Sequence, residues 1–125
     1  MKKRIYRRMP VNDFQLDSIA PADLGGKLVF AIDVAKVDMV AAIAAADGRV
    51  LQTLCWKAPG ENQRVLAILR HFRLAGITVE AVMEPSGTYG DVLRRQLELD
   101  AFPVFVISGK RTHDACEIFT HHAFG

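Results

Sequence analysis

At 125 residues, with 50% hydrophobic and 24% charged residues and a formal net charge of +2, the chain suits one soluble globular domain with one core. That composition excludes a disordered polymer. No charge-free apolar run reaches the roughly 18–20 residues of a membrane span, so no membrane partner is expected.

The first 27 residues come first in chain order. They hold six positive and three negative side chains, so the basic charge is concentrated there. Pro10, Pro21 and Gly25-Gly26 punctuate the stretch and no hydrophobic period survives in it. It reads as a basic, flexible extension, either a solvated leader or a segment that touches nucleic acid phosphates. Asn12, Asp13, Gln15, Asp17 and Asp23 argue against a secretory signal. Cys55 and Cys116 lie far apart without a CxxC-type neighbour, which argues against structural zinc and fits a reducing cytoplasm.

From Leu28 the pattern becomes regular. Residues 28–34 are a short apolar run, as in a strand buried on both faces, with Asp33 near its end. Residues 37–45 and 49–57 read as two further strands joined by an Asp47-Gly48 hairpin turn. The period then changes. Val65, Ile68, Leu69 and Phe72 share one helical face, and Gly76 is placed to end that helix. Residues 77–83 alternate as a fourth strand and stop at Glu84-Pro85. A second helix is expected over 88–99, with Tyr89, Val92, Leu93 and Leu97 inward. A fifth strand follows over 102–107, and residues 110–119 begin another helical pattern.

The order β-β-β-α-β-α-β-α gives three antiparallel strands, to which right-handed crossovers add two strands parallel to the first. This is the order of an α/β, RNase H-like (RuvC-like) mixed five-stranded sheet, arranged 3-2-1-4-5 and flanked by helices. The domain would span residues 28–125. The first and fourth strands are then neighbours about 4.8 Å apart, which brings Asp33 and Glu84 together at the edge where parallel strands place ligand sites. Two carboxylates so close repel each other unless a divalent cation joins them. Mg²⁺ or Mn²⁺ suits such oxygen donors, and paired ions of this kind clamp both oxygens of a phosphodiester displacement. The bland alternatives stay open: Asp33 paired with Lys36, and Glu84 capping its loop, with Ser86 and Thr88 as helix caps. In "MEPSGTYGDVL" the coming helix start offers free N–H groups to phosphate, and Gly87 and Gly90 would allow a close backbone approach.

"AIDVAK" with a downstream "EPSGTYG" resembles the DEDD-type insertion-sequence transposases of the IS-one-ten group, whose N-terminal domain is RuvC-like. "VISGKRTHDACEIF" resembles the segment after the fifth strand in one branch of that family. The resemblance runs from about residue 29 to 119. It implies Mg²⁺-dependent DNA strand cleavage and exchange in transposition, with Asp33 and Glu84 matching the D and E of the tetrad. Lys36, Ser86, Gly87, Thr88, Tyr89, Lys110 and Arg111 become the candidate nucleic-acid contacts. DNA is the implied partner, a guide RNA is known for some members, and a homo-oligomer is expected of the full-length form.

The family's remaining DxxD pair would fall just beyond Gly125, and its catalytic serine lies in a further C-terminal domain. Asp114, with Glu117, has a DxxE spacing and is the weakest metal candidate, assigned instead to the preceding helix. His71, His113, His121 and His122 read as surface histidines, since adjacent side chains such as His121 and His122 point apart. The expectation is therefore a truncated, inactive catalytic domain lacking its last helix. Phe102, Phe105, Ile118, Phe119 and Phe124 would be left uncovered and prone to self-association. A non-catalytic nucleic-acid-binding or vestigial fragment is the alternative. An actin-like nucleotide phosphotransferase is less favoured, because Val34-Ala35-Lys36 supplies no Gly-rich phosphate hairpin.

Overall fold

The computed structural model describes residues 8–84 and 88–107. They form an α/β fold on one mixed, six-stranded sheet. Its strands are β1 (Arg8–Pro10), β2 (Lys27–Asp33), β3 (Asp38–Ala45), β4 (Val50–Lys57), β5 (Thr78–Met83) and β6 (Val104–Val106). The spatial order is β1-β4-β3-β2-β5-β6. Antiparallel ladders join β2 to β3 and β3 to β4, while β1 on β4, β5 on β2 and β6 on β5 are parallel.

The local signals work as chemistry predicts. At the β3–β4 turn Gly48 takes a φ of 91°, its N–H reaches the Ala45 carbonyl at 2.9 Å, and Asp47 accepts the Arg49 N–H. Helix α1 (Asn62–Leu74) buries Val65, Leu66, Ile68, Leu69 and Phe72 on one stripe. It ends where Gly76 adopts a φ of 90° and donates to the Arg73 carbonyl. Helix α2 (Asp91–Leu99) buries Leu93 and Leu97. Both helices pack on the same face of the sheet, over Phe30, Ile32, Ile43, Leu54, Ala81 and Met83. On the other face the described residues bury a small cluster of Val29, Ala44 and Val82, against which Ile107 packs.

Three expectations need correction. Residues 8–27 are not a flexible extension. β1 adds a sixth strand beside β4, and three short 3₁₀ turns (Val11–Asp13, Leu16–Ser18 and Pro21–Leu24) follow it. Val11, Phe14 and Leu24 lie in the main core, each no more than 1% exposed. Arg64 of α1 clasps this segment by donating to the carbonyls of Val11 (3.1 Å) and Phe14 (2.7 Å). The apolar residues here follow a turn-rich path, so no single period could reveal them.

Second, α2 starts at Asp91, and Tyr89 and Val92 face outward at 49% and 50% exposure. Third, Phe102 precedes β6 and is buried, with the Arg73 guanidinium 4.1 Å from its ring centre. Arg70 and Arg73 both grip the Asp100 carboxylate at the end of α2, which holds that carboxyl below its usual range, Arg73 being the larger influence. Phe105 is half exposed. The expected helix over 110–119 and Ile118, Phe119 and Phe124 lie outside the described residues, as do Cys116, His113, His121 and His122.

Truncating Phe14 tests whether the N-terminal segment is part of the cooperative core. Phe14→Ala should lower the unfolding free energy by about 3–5 kcal/mol in a urea titration, the range for a fully buried phenylalanine. A loss below about 0.5 kcal/mol, typical of a surface site, would return the segment to the status of an appendage.

Candidate metal and nucleic-acid site

Parallel pairing of β2 with β5 sets the site. Its register runs from Lys27 opposite Thr78 to Ile32 opposite Met83. One step further along both strands come Asp33 and Glu84. Ile32, Val34 and Met83 are buried in the main core, so alternation turns Asp33 and Glu84 to the opposite face, side by side at the C-terminal edge. Asp33 is exposed and Glu84 half-buried.

The electrostatics follow from that placement. Burial pushes the Glu84 carboxyl above its usual range, and the Asp33 charge and a hydrogen bond with Asp33 push it the same way. Glu84 therefore holds its proton more firmly than an ordinary exposed glutamate does. The alternative partner is not used: among the described residues Lys36 forms no ion pair with Asp33, and the nearby Lys57 is taken by Asp38. Two adjacent hard oxygen donors with no protein cation between them fit a divalent ion such as Mg²⁺ or Mn²⁺. Among the described residues no group of three or more His, Cys, Asp or Glu converges, so the pair supplies two carboxylates.

Helix α2 is anchored directly behind this edge. A Cβ on Gly90 would lie 2.9 Å from Met83 Cε and 3.3 Å from both Val34 methyls. Gly90 thus serves close packing of the helix start onto the residues next to the carboxylates. It is buried, which corrects the expectation that it admits a ligand backbone. Among the described residues no side chain caps α2, so Thr88 does not act as its cap; its carbonyl instead accepts the Asp91 N–H at 3.2 Å.

A buried polar chain fixes the rest of the neighbourhood. Asn62, 1% exposed, accepts a hydrogen bond from the Trp56 indole (3.0 Å) and donates to Gln96 of α2 (2.9 Å). The Trp56 ring stacks on Phe30 with centroids 5.9 Å apart. The sequence carries one signal for Asn62, a polar residue that opens an apolar helical stripe. Above it lies a cleft lined by Lys36, Pro59, Thr88, Tyr89 and Val92.

Of the candidate residues, the structure thus joins Asp33 with Glu84, and gathers Lys36, Thr88 and Tyr89 around a single cleft. Ser86, Gly87, Lys110, Arg111 and Asp114 lie outside the described residues. No protein-family model and no curated protein matches the chain.

The raised Glu84 carboxyl has a consequence for stability. The native state keeps its proton to higher pH than the unfolded chain does, so stability falls as pH rises through and above the ordinary value of 4.5. Glu84→Gln should therefore raise the melting temperature at pH 7 and have a much smaller effect near pH 3.5, measured by thermal scans across that range. An equal effect at both pH values would show that burial and the Asp33 charge do not raise that carboxyl.

Proposed function

We propose that this chain is the N-terminal, RNase H-like catalytic domain of a DEDD-type DNA transposase or recombinase. Asp33 and Glu84 would supply two of its metal-binding carboxylates. The observation that carries the reading is their meeting at the edge of two parallel strands, with no cation of the described residues between them. The motifs "AIDVAK" and "EPSGTYG" support it from the sequence, because they place these two acids where the transposase resemblance expects them. The order β4-β3-β2-β5-β6 among the strands from Lys27 onward supports it from the topology.

Asp33 and Glu84 would hold Mg²⁺ or Mn²⁺ through carboxylate oxygens. When bound there, a divalent ion supplies charge neutralisation and polarises a phosphodiester oxygen. The chain's own contribution is to fix the two oxygens on rigid strands and to offer Lys36 beside them for a phosphate. DNA is the proposed partner. A guide RNA rests on the resemblance alone, as does assembly into a homo-oligomer. No helix among the described residues is long and apolar enough to cross a membrane.

The discriminating experiment is a thermal melt at pH 7 with and without millimolar Mn²⁺ or Mg²⁺. An ion present at 100 times its dissociation constant stabilises by about 2.7 kcal/mol, several degrees for a domain of this size. The shift should vanish in Asp33→Asn/Glu84→Gln. No shift in the native chain, or an equal shift in the double variant, would remove the metal site and leave a non-catalytic nucleic-acid-binding domain as the better reading.

A further inference from the structure

We infer that the cleft beside the carboxylate pair is a subsite for one unpaired nucleotide of a nucleic acid strand, with its base on Tyr89 and Val92 and its phosphate at Lys36. The inference rests on the functional reading above and adds to it the state of the substrate, a strand with at least one base out of the duplex.

Three observations carry it. First, Tyr89 and Val92 are both half exposed at the start of α2, next to the fully buried Leu93, and both line the same cleft; the other exposed apolar residue of α2, Leu99, lies at its far end. An exposed tyrosine beside a valine offers a flat apolar surface of the kind on which bases stack. Second, Lys36 stands on the same cleft and has no ion-pair partner among the described residues, so its charge is open to an anion. Thr88 adds a hydroxyl, and the buried Asn62 forms part of the floor, already bonded to Trp56 and Gln96. An occupant must bring a flat apolar face and a negative charge together, which is the chemistry of a nucleotide.

Third, the size suits part of a longer ligand better than a whole enclosed small molecule. The cleft holds about 180 Å³, whereas sites that enclose a small molecule run roughly 300–1,000 Å³. It can seat one unit of a longer ligand whose other contacts lie elsewhere. The carboxylate pair lies at the same C-terminal edge of the sheet, on the face opposite the helices. Lys36 follows Asp33 by three residues and Thr88 follows Glu84 by four. At no more than ~3.6 Å per residue, the backbone separations are at most about 11 Å and 14 Å. Gly90, next to Tyr89, packs closely on Val34 and Met83, the core neighbours of the carboxylates in the chain.

The test measures binding of the full chain, without divalent metal, to two short fluorescent strands by anisotropy. One is a thymidine oligonucleotide and the other its fully abasic counterpart. Omitting metal separates this result from that of the metal melt: either can fail while the other stands. The thymidine strand should bind more tightly. Tyr89→Ala should weaken it about tenfold and leave the abasic strand unchanged, and Tyr89→Phe should keep the native affinity, since stacking needs the ring. Lys36→Ala should weaken both strands and reduce the salt dependence by about one phosphate contact. Because Tyr89 is half exposed, its substitution should leave the melting temperature in place, which checks folding. Equal affinity for the two strands, equal losses on both with Tyr89→Ala, or no binding of either strand would overturn the subsite.

Discussion

The parallel pairing of β2 with β5 is the constraint on which the rest of this structure depends. Parallel neighbours cannot be joined by a tight turn, so the chain must leave the sheet and return. It does so through β3, β4 and α1, and α1 then roofs the strands it connects. The same pairing sets two side chains at equal height. Since side chains alternate, a slip of one residue would send Glu84 to the helical face, against the main core, and leave Asp33 alone. The buried pairs Phe30 with Ala81 and Ile32 with Met83 prevent that slip, because a shifted register would expose them. An apolar core thus enforces a contact between two acids that is unfavourable in itself.

The region behind the edge is held by polar contacts where the core thins out. Trp56, Asn62 and Gln96 link β4, α1 and α2 by hydrogen bonds, the first buried and the second partly buried. Such a chain is stabilising when every member is satisfied and costly when one is removed. Gly90 packs the start of α2 on Met83 and Val34, and the Arg70 and Arg73 grip on Asp100 secures the far end of that helix. The consequence is a packed frame that positions the rim residues Lys36, Thr88 and Tyr89, which stand on loops and at a helix start.

How far the sequence could be read depended on whether a residue's role was periodic. The stripe Val65, Ile68, Leu69 and Phe72, the Asp47-Gly48 turn and the strand ends at Asp33 and Glu84 could be placed because each is a local pattern with a local cause. Phe14 and Leu24 could not, because they reach the core through 3₁₀ turns that carry no repeat. Tyr89 and Val92 misled for the opposite reason. They fit an inward stripe with Leu93 and Leu97, yet the helix begins only at Asp91, and its inward face is narrower than the stripe. Phe102 looked like an edge-strand residue and is instead sealed by a cation from α1, a partner far away in the chain.

By itself, then, the sequence determined the alternation of strands and helices from Lys27 on, the sites of the turns and the identity of two acids at strand ends. Short-range sterics and hydrophobic period suffice for those features. Tertiary structure alone decided that a sixth strand is added at Arg8–Pro10, and that Asn62 lies buried between Trp56 and Gln96. It also decided that Gly90 is packed shut while Tyr89 stands open. These outcomes depend on contacts between segments distant in the chain, whose free energy of burial and hydrogen bonding appears only when the segments meet. The meeting of Asp33 with Glu84 belongs to both: the residues could be named from the sequence, and their mutual repulsion exists only because a sheet register holds them together.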